Sequence, residues 1–352
     1  MNCTLLYNIT NVIRIQLYRR KFFLQGINIL GTGSYSPEMI LTNDDLSNYV
    51  ETSDEWITTR TGIKKRHIAN GEPTWSMGVK ASKKAIEVAN IDIKDIDLII
   101  VSSTTEDYYL PSTACMIQRE LGAIGSMALD LNCACSGFAY GMDMARRYLL
   151  AGDIKYILVV ATEALSKITD FTDRTTCVLF GDGAGACIVE ASDKLFTSHL
   201  GADGNGATFL CARHHEPERQ LHGEPVMIED GLPTELKPYI IQNGKEVYKF
   251  ATKILPNATR IACEKINLSV DDIDFFIPHQ ANIRIIETAC KNLGATMDKF
   301  IVNIEEHGNT SSATIPIAFD EAVRSGKIQR GDKICFVGFG AGLTYGAVVL
   351  EY

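Results

Sequence analysis

The sequence has no apolar run long enough to cross a bilayer. Its longer stretches, such as Ile96–Ser103 and Tyr156–Ala161, stop far short of the roughly 18 residues a spanning helix needs. It has no excess of positive charge either. Against 34 Lys and Arg stand 43 Asp and Glu, a net charge of −9, which excludes a general nucleic-acid binder and leaves room only for a local basic patch that recruits an acidic partner. Cysteines at zinc-site or disulfide-scaffold spacing are missing too. Ten cysteines are spread over 352 residues. Cys177, Cys187 and Cys335 sit inside apolar runs, where a reduced thiol packs as a small hydrophobe, so a reducing, cytoplasmic compartment is expected. Compositional bias is absent: 46% apolar and 22% charged residues exclude a disordered or collagen-like chain, and the length suits about two domains.

Acid is absent from the first 26 residues, which hold Arg14, Arg19, Arg20 and Lys21; the first carboxylate of the chain is Glu38. A secretory signal does not fit, because these charges lie behind the apolar stretch and no small-residue cleavage site follows. Residues 1–26 are read as a dispensable extension, either a plastid-type leader or a start set too far upstream.

From Ile27 onward, β-branched runs (Leu98–Ser103, Tyr156–Ala161, Ala186–Glu190, Phe275–Pro278, Ile301–Ile304, Ile334–Val337) alternate with amphipathic stretches (Met77–Ala89, Ser136–Leu150, Lys245–Ile266). That alternation predicts an α/β architecture with buried sheets. The chain also echoes itself. Ala81–Asp97 (ASKKAIEVANIDIKDID) and Ala258–Asp274 (ATRIACEKINLSVDDID) share seven of 17 positions at one fixed offset, and Leu121-Gly122-Ala123 returns as Leu293-Gly294-Ala295 after a short gap. Duplicated α/β halves are expected, residues 27–200 and 201–352, with a seam near 195–210. A two-fold repeat places equivalent loops face to face, a natural position for an active site.

Cys135 follows the apolar run Leu129–Leu131 and a small-residue turn that opens the helix Ser136–Leu150. A thiol at a helix N-terminus has its thiolate favoured by the dipole, and the backbone N–H groups there begin an oxyanion hole. Standing alone, it would more often be a buried inert cysteine, and Cys133-Ala134-Cys135 without a second pair is weak for zinc. His279 closes the run Phe275–Pro278, and the preceding proline pushes its ring out at the strand's C-terminal edge. Asn309, in Glu306-His307-Gly308-Asn309-Thr310-Ser311-Ser312, reads alone as a helix cap before Ala313. It occupies about the place in the second half that the Cys135 turn occupies in the first, so the repeat brings the two toward one cleft. Gly181-Asp182-Gly183-Ala184-Gly185 and Phe339-Gly340-Ala341-Gly342-Leu343 lie between strand patterns rather than opening helices, so the dinucleotide fingerprint fails. Both suit close approach of backbone to backbone or ligand.

With these segments in order, together with Thr52-Ser53-Asp54-Glu55-Trp56-Ile57, Arg60-Thr61-Gly62-Ile63 and Pro278-His279-Gln280-Ala281-Asn282, the chain resembles the β-ketoacyl-acyl-carrier-protein synthase III family of thiolase-like condensing enzymes over nearly all of residues 27–352. The resemblance implies a five-layered αβαβα fold, a homodimer and a Cys135–His279–Asn309 site. It implies a decarboxylative condensation of an acyl-CoA primer with malonyl-acyl-carrier protein, without metal or redox cofactor, initiating type II fatty acid synthesis. Cys135 would carry the acyl group, the amides of Cys135 and Ala341 would hold the oxyanion, and His279 and Asn309 would stabilise the enolate. Thr52, Trp56, Arg60 and Arg174 would bind CoA; Lys249, Arg284 and Lys291 would dock the carrier protein. Leu110 stands where straight-chain bacterial members often carry Phe lining the partner subunit's acyl pocket. The expectation is a roomier pocket for acyl groups longer than acetyl, or branched.

Other readings fit less well. Papain-like proteases share the order Cys…His…Asn but need a cysteine–glycine–tryptophan-type signature and a secretory leader. Elongating synthases use two histidines. Plant-type polyketide synthases and hydroxymethylglutaryl-CoA synthase lack the Trp56–Arg60 segment. A condensing enzyme or acyltransferase of secondary metabolism is the alternative within the fold, and a non-catalytic binding module would tolerate Cys135→Ala.

Overall fold

The computed structural model describes residues 26–213 and 239–352, so the extension 1–25 lies outside it. Thirteen strands are described: β1 (Gly26–Tyr35), β2 (Met39–Thr42), β3 (Lys65–Ile68), β4 (Ile96–Ser102), β5 (Met127–Leu131), β6 (Tyr156–Ala164), β7 (Asp182–Ser192), β8 (Phe196–Ala202), β9 (Leu210–Cys211), β10 (Ile241–Gln242), β11 (Phe275–Pro278), β12 (Lys333–Gly340) and β13 (Thr344–Glu351). The longer helices are α1 (Asp54–Thr61), α2 (Thr74–Ala89), α3 (Thr113–Leu121), α4 (Gly137–Ala151), α5 (Gly244–Glu264), α6 (Ile283–Leu293) and α7 (Thr314–Arg324).

Two sheets repeat one plan. The first runs β1-β7-β6-β4-β5 and the second β8-β13-β12-β11. In each, parallel pairing (β5–β4–β6, β11–β12) is followed by antiparallel pairing (β6–β7–β1, β12–β13–β8). The change of sheet falls between Ser192 and Phe196, so β8 goes wholly with the second sheet and the boundary expected after residue 200 moves upstream.

The expected strand Ile301–Ile304 does not form. It is the counterpart of β5, but pairing stops at the single bridge Phe276–Phe300 and the bond from Ile301 N to Phe276 O, 2.9 Å. Gln280 explains the stop. Its side-chain amide donates to Pro278 O and Ile301 O, at 2.7 and 3.1 Å, taking the place of the next rung, and Ile304 then starts the single turn Ile304–His307. Asp182–Gly185 also departs from expectation: these residues are the first rungs of β7, not a loop.

Helices α4 and α7 fill the space between the sheets, α2 and α3 cover the first sheet, and α5 and α6 the second, completing the five layers. The reason lies in their apolar faces. In α4 the buried residues Phe138, Ala139, Met142, Ala145 and Leu149 recur at helical spacing, and α7 is buried nearly all round, as a helix between two sheets must be. Phe138, Phe319 and Phe336 meet edge-on at 5.0–5.4 Å in the middle of this layer. Asp320, fully buried on α7, accepts from Thr32 Oγ1 and Ser34 Oγ of β1, at 2.7 and 2.6 Å, tying second-half helix to first-half strand.

Arg66 of β3 is fully buried, with no carboxylate hydrogen-bonded to it among the described residues. Its guanidinium donates to Leu41 O, Asn43 Oδ1 and Val178 O, at 3.2, 2.9 and 2.8 Å, and burial pushes its pKa down to about 10. Three acceptors lose their donor together in Arg66→Leu, so the urea midpoint should fall by the equivalent of about 2–4 kcal/mol. An unchanged midpoint would show that the cation contributes nothing to stability.

Candidate active site

Strand β5 ends at Leu131, and a 3-10 turn, Ala134–Ser136, leads straight into α4. Ala134 takes a left-handed φ of +47°, and its N–H is held by Asn132 Oδ1 at 3.4 Å. Three glycines make room. A Cβ on Gly137 would meet Ser102 Oγ at 1.8 Å, one on Gly340 would meet Cys135 N at 2.5 Å, and one on Gly338 would meet Cys135 O at 3.2 Å. β12 therefore runs directly behind the cysteine, and Cys135 is only 8% exposed. The sequence leads one to expect a thiol made acidic by the helix N-terminus. Instead burial pushes it up to about 12, aided by the Glu163 charge; the Ser311 hydroxyl and the cysteine's own backbone N–H pull the other way without prevailing.

His279 extends β11 by one rung, donating its N–H to Val337 O at 2.8 Å. The ring is 1% exposed, lies edge-on to Phe339 at 5.4 Å and has Nδ1 2.8 Å from Thr314 Oγ1. Burial pushes its pKa down to about 3, against a hydrogen bond to the Ser311 backbone that raises it. Thiol and imidazole are both neutral at rest.

Asn309 follows Gly308, whose φ is +64°. Its backbone is stitched to the first half, with Asn309 N donating to Leu179 O at 2.9 Å and Gly181 N to Asn309 O at 3.0 Å. Its Oδ1 accepts from Ser311 N at 2.8 Å, which leaves the Nδ2 protons for the cavity. Asn309 is 6% exposed.

Cys135, His279 and Asn309 line one cavity of about 220 Å³ that also reaches Trp56 and Arg174. A second cavity of about 490 Å³ opens from Cys135 in another direction, between Ala341, Ser311, Leu165, Phe180 and Ile240. The cysteine therefore stands where the two meet. At the mouth of the first, the guanidinium carbons of Arg60 and Arg174 lie 4.6 and 4.9 Å from the Trp56 ring centroid, and Arg174 also donates to Glu51 O at 2.9 Å. The Thr52 hydroxyl is buried without a hydrogen-bond partner among the described residues.

The remaining expected residues lie outside both cavities. Lys249, on α5, pairs with Glu246 at 2.6 Å; Arg284, on α6, donates to Thr59 O at 2.8 Å; Lys291 lies in the last turn of α6. Leu110 is 88% exposed, beside the exposed Tyr108 and Tyr109. Sequence reading missed Ser311, Thr314 and Glu163. Only Glu163 carried a signal, a charge at the end of an otherwise apolar strand.

With the thiol pushed up and the imidazole pushed down, no preformed ion pair supplies thiolate. The rate of Cys135 alkylation by iodoacetamide should climb continuously from pH 7 to 10. A plateau already reached below pH 7 would show a resting thiolate–imidazolium pair.

Comparison with known proteins places this site in a family. The profile of 3-oxoacyl-(acyl-carrier-protein) synthase III matches residues 129–204, and that of its C-terminal part matches 263–352. The chain is 48% identical over 331 residues to the β-ketoacyl-(acyl-carrier-protein) synthase III of Clostridium acetobutylicum, covering 94% of this chain and 99% of that one. It is 47% identical to that of Caldanaerobacter subterraneus, covering 92% and 97%. The crystal structure of the Aquifex aeolicus synthase superposes with a TM-score of 0.85 at 41% identity, over 93% of this chain and all of the other. The chain belongs to the 3-oxoacyl-(acyl-carrier-protein) synthase III family.

Proposed function

We propose that Cys135 is the nucleophile, and His279 and Asn309 the enolate-stabilising pair, of the family's decarboxylative condensation. As a member of this family the protein is an acyltransferase of fatty acid biosynthesis that joins an acyl-CoA primer to malonyl-acyl-carrier protein. One observation carries the assignment of residues: a thiol from the first half shares a water-poor cavity with an imidazole and an amide from the second.

Cys135 Sγ attacks the thioester carbonyl, the new C–S bond replaces the bond to CoA, and the thiol proton leaves on CoA. The Cys135 and Ala341 amides hold the oxyanion during this exchange. Malonyl-acyl-carrier protein then loses CO₂, and the electron pair of the broken C–C bond passes into an enolate whose oxygen meets His279 and Asn309 Nδ2. The enolate attacks acyl-Cys135, expelling the sulfur as thiolate, which takes up a proton from solvent to restore the thiol, and leaving 3-oxoacyl-carrier protein. The sequence balances without metal or redox cofactor. His279 Nδ1 is held by Thr314 Oγ1 at 2.8 Å while the Thr314 hydroxyl itself donates to Ser311 O at 2.9 Å, so the ring is fixed in orientation beside the cavity. Neutral groups suit the task, because a charged imidazole would be costly in this buried site.

The Trp56 face with Thr52, Arg60 and Arg174 suits the purine and phosphates of CoA. Lys249, Arg284 and Lys291, on the packed pair α5 and α6, would meet the acidic carrier protein. A homodimer is supported by β5, an edge of the first sheet left unpaired among the described residues, with Met127 exposed; Leu110 would then close the partner's primer pocket. The cavity of about 490 Å³ takes the acyl chain and has room for more than acetyl. A cytoplasmic location fits the nine cysteines among the described residues, all free.

Intact-protein mass after mixing with a panel of acyl-CoAs tests the reading. Wild type should gain one acyl group, with butyryl and isobutyryl accepted alongside acetyl, and Cys135→Ala should gain none. Acylation of the Ala variant would remove Cys135 from its role, and acetyl preferred by orders of magnitude in kcat/KM would remove the roomier pocket. Thr314→Val should slow condensation about tenfold while acylation of Cys135 stays within about threefold. Equal slowing of both half-reactions would argue against a role in orienting the His279 ring.

A further inference from the structure

The turn that carries the nucleophile has a double. The offset that relates Ala81 to Ala258 also relates Asn132 to Asn309, Cys135 to Ser312 and Glu163 to Gly340. The correspondence extends to conformation. Both turns are 3-10 segments, Ala134–Ser136 and Ser311–Ala313. Each opens on a left-handed non-glycine residue, Ala134 at +47° and Ser311 at +50°. In each, the asparagine accepts from the N–H two residues on, at 3.4 and 2.8 Å. They part at what stands behind them. Behind Cys135, strand β12 ends in Gly340 and leaves room for the backbone. Behind Ser312, strand β6 presents Glu163, which is fully buried.

Glu163 Oε1 accepts from Ser312 Oγ at 2.7 Å. Its Oε2 accepts from Thr104 N, Thr104 Oγ1 and Thr105 Oγ1 at 3.0, 3.0 and 2.9 Å. Thr105 Oγ1 itself accepts from Ala164 N at 2.8 Å, so its proton is committed to the carboxylate. The Ser312 hydroxyl lies 3.4 Å from Ser102 O and donates along the shorter contact. Both oxygens thus act as acceptors, the hydrogen-bond pattern of a carboxylate, with no cation paired to it among the described residues. Burial raises its pKa above the ordinary carboxylate range, and the hydrogen bonds from Thr104, Ser312, Thr105 and the Ser311 hydroxyl oppose that rise without reversing it. A buried carboxylate is costly to keep for packing.

We infer that Glu163 is a positioning residue of the active site, its carboxylate fastening the Ser311–Ser312 turn to the Thr104–Thr105 loop and so fixing Asn309 beside Cys135. The inference rests on the roles proposed above for Cys135 and Asn309. The same negative charge acts on the nucleophile, opposing loss of the thiol proton. The other titratable side chains lining the cavities at Cys135 are His279, Tyr248 and Arg174 on one side and Cys133 and Cys211 on the other.

Glu163→Gln keeps the shape, removes the charge and turns a donor toward hydroxyls that must themselves donate. With the primer best accepted by wild type, condensation kcat should fall about tenfold or more while KM for that acyl-CoA stays within about twofold. The pH profile of Cys135 alkylation by iodoacetamide should move to lower pH, a shift that a mere packing role would not produce. Condensation within about twofold of wild type, or an unmoved alkylation profile, overturns the inference. Ser312→Ala keeps the charge and removes one donor, so it should slow condensation and leave the profile in place. Should the Gln variant not fold, condensation at the wild-type rate in Ser312→Ala overturns the inference. Intact mass separates the two layers: no acyl adduct on wild type overturns the site assignment and this inference with it. An adduct on wild type with an indifferent Gln variant overturns this inference alone.

Discussion

Strand β12 lies against the backbone of the nucleophile's turn, and the whole site follows from that approach. It is possible only because positions 338 and 340 carry no side chain, so that the second sheet reaches Cys135 N and O directly. The contact sets the spacing between the two halves at the point where chemistry is needed. From there β12 continues toward Ala341, while its neighbour β11 delivers His279 at the same level. Asn309 arrives by a separate route, its backbone tied to Leu179 and Gly181 of the first half. Cys135 and Asn309 are thus held against backbone of the opposite half, and His279 by β12 of its own half, which fixes position without relying on flexible side chains.

The same closeness sets the electrostatics. Where two sheets and two central helices converge, water is excluded and every ionisable group shifts toward its neutral form unless donors or a charge oppose it. Cys135 and His279 stay neutral; Glu163 is shifted the same way, with many donors opposing the shift without reversing it. A site of this kind works with hydrogen bonds and a dry cavity rather than with standing charge, which suits an enolate that water would protonate.

Much of this was legible from residue order. The helix faces of α2, α4 and α5, the buried strands β4, β6 and β11, and the echo between the halves all follow from apolar spacing. The positions of Cys135, His279 and Asn309 at strand ends and turns followed from the same reading. What escaped depended on contacts between segments far apart in the chain. Nothing near Ile301 in the sequence announces that Gln280 replaces its next rung. Nothing beside Cys135 states that β12 buries it, so a local argument from the helix dipole gave the wrong direction for its acidity. Nothing in the sequence around Ser311 and Thr314 sets them apart until the fold puts them beside the thiol and the imidazole.

The covered face of Trp56 has a consequence for selectivity. In the resting chain two guanidinium groups already flank that ring, so a purine arriving there exchanges one favourable contact for another rather than gaining a bare surface. Contacts of this kind are worth about 0.5–1 kcal/mol at exposed sites, so the exchange is close to neutral. Discrimination at the mouth must then come from the displaced arginines finding phosphate oxygens. The entrance recognises the anionic end of its visitor more than the base, and rising ionic strength erodes that preference even where the stacking surface is unchanged.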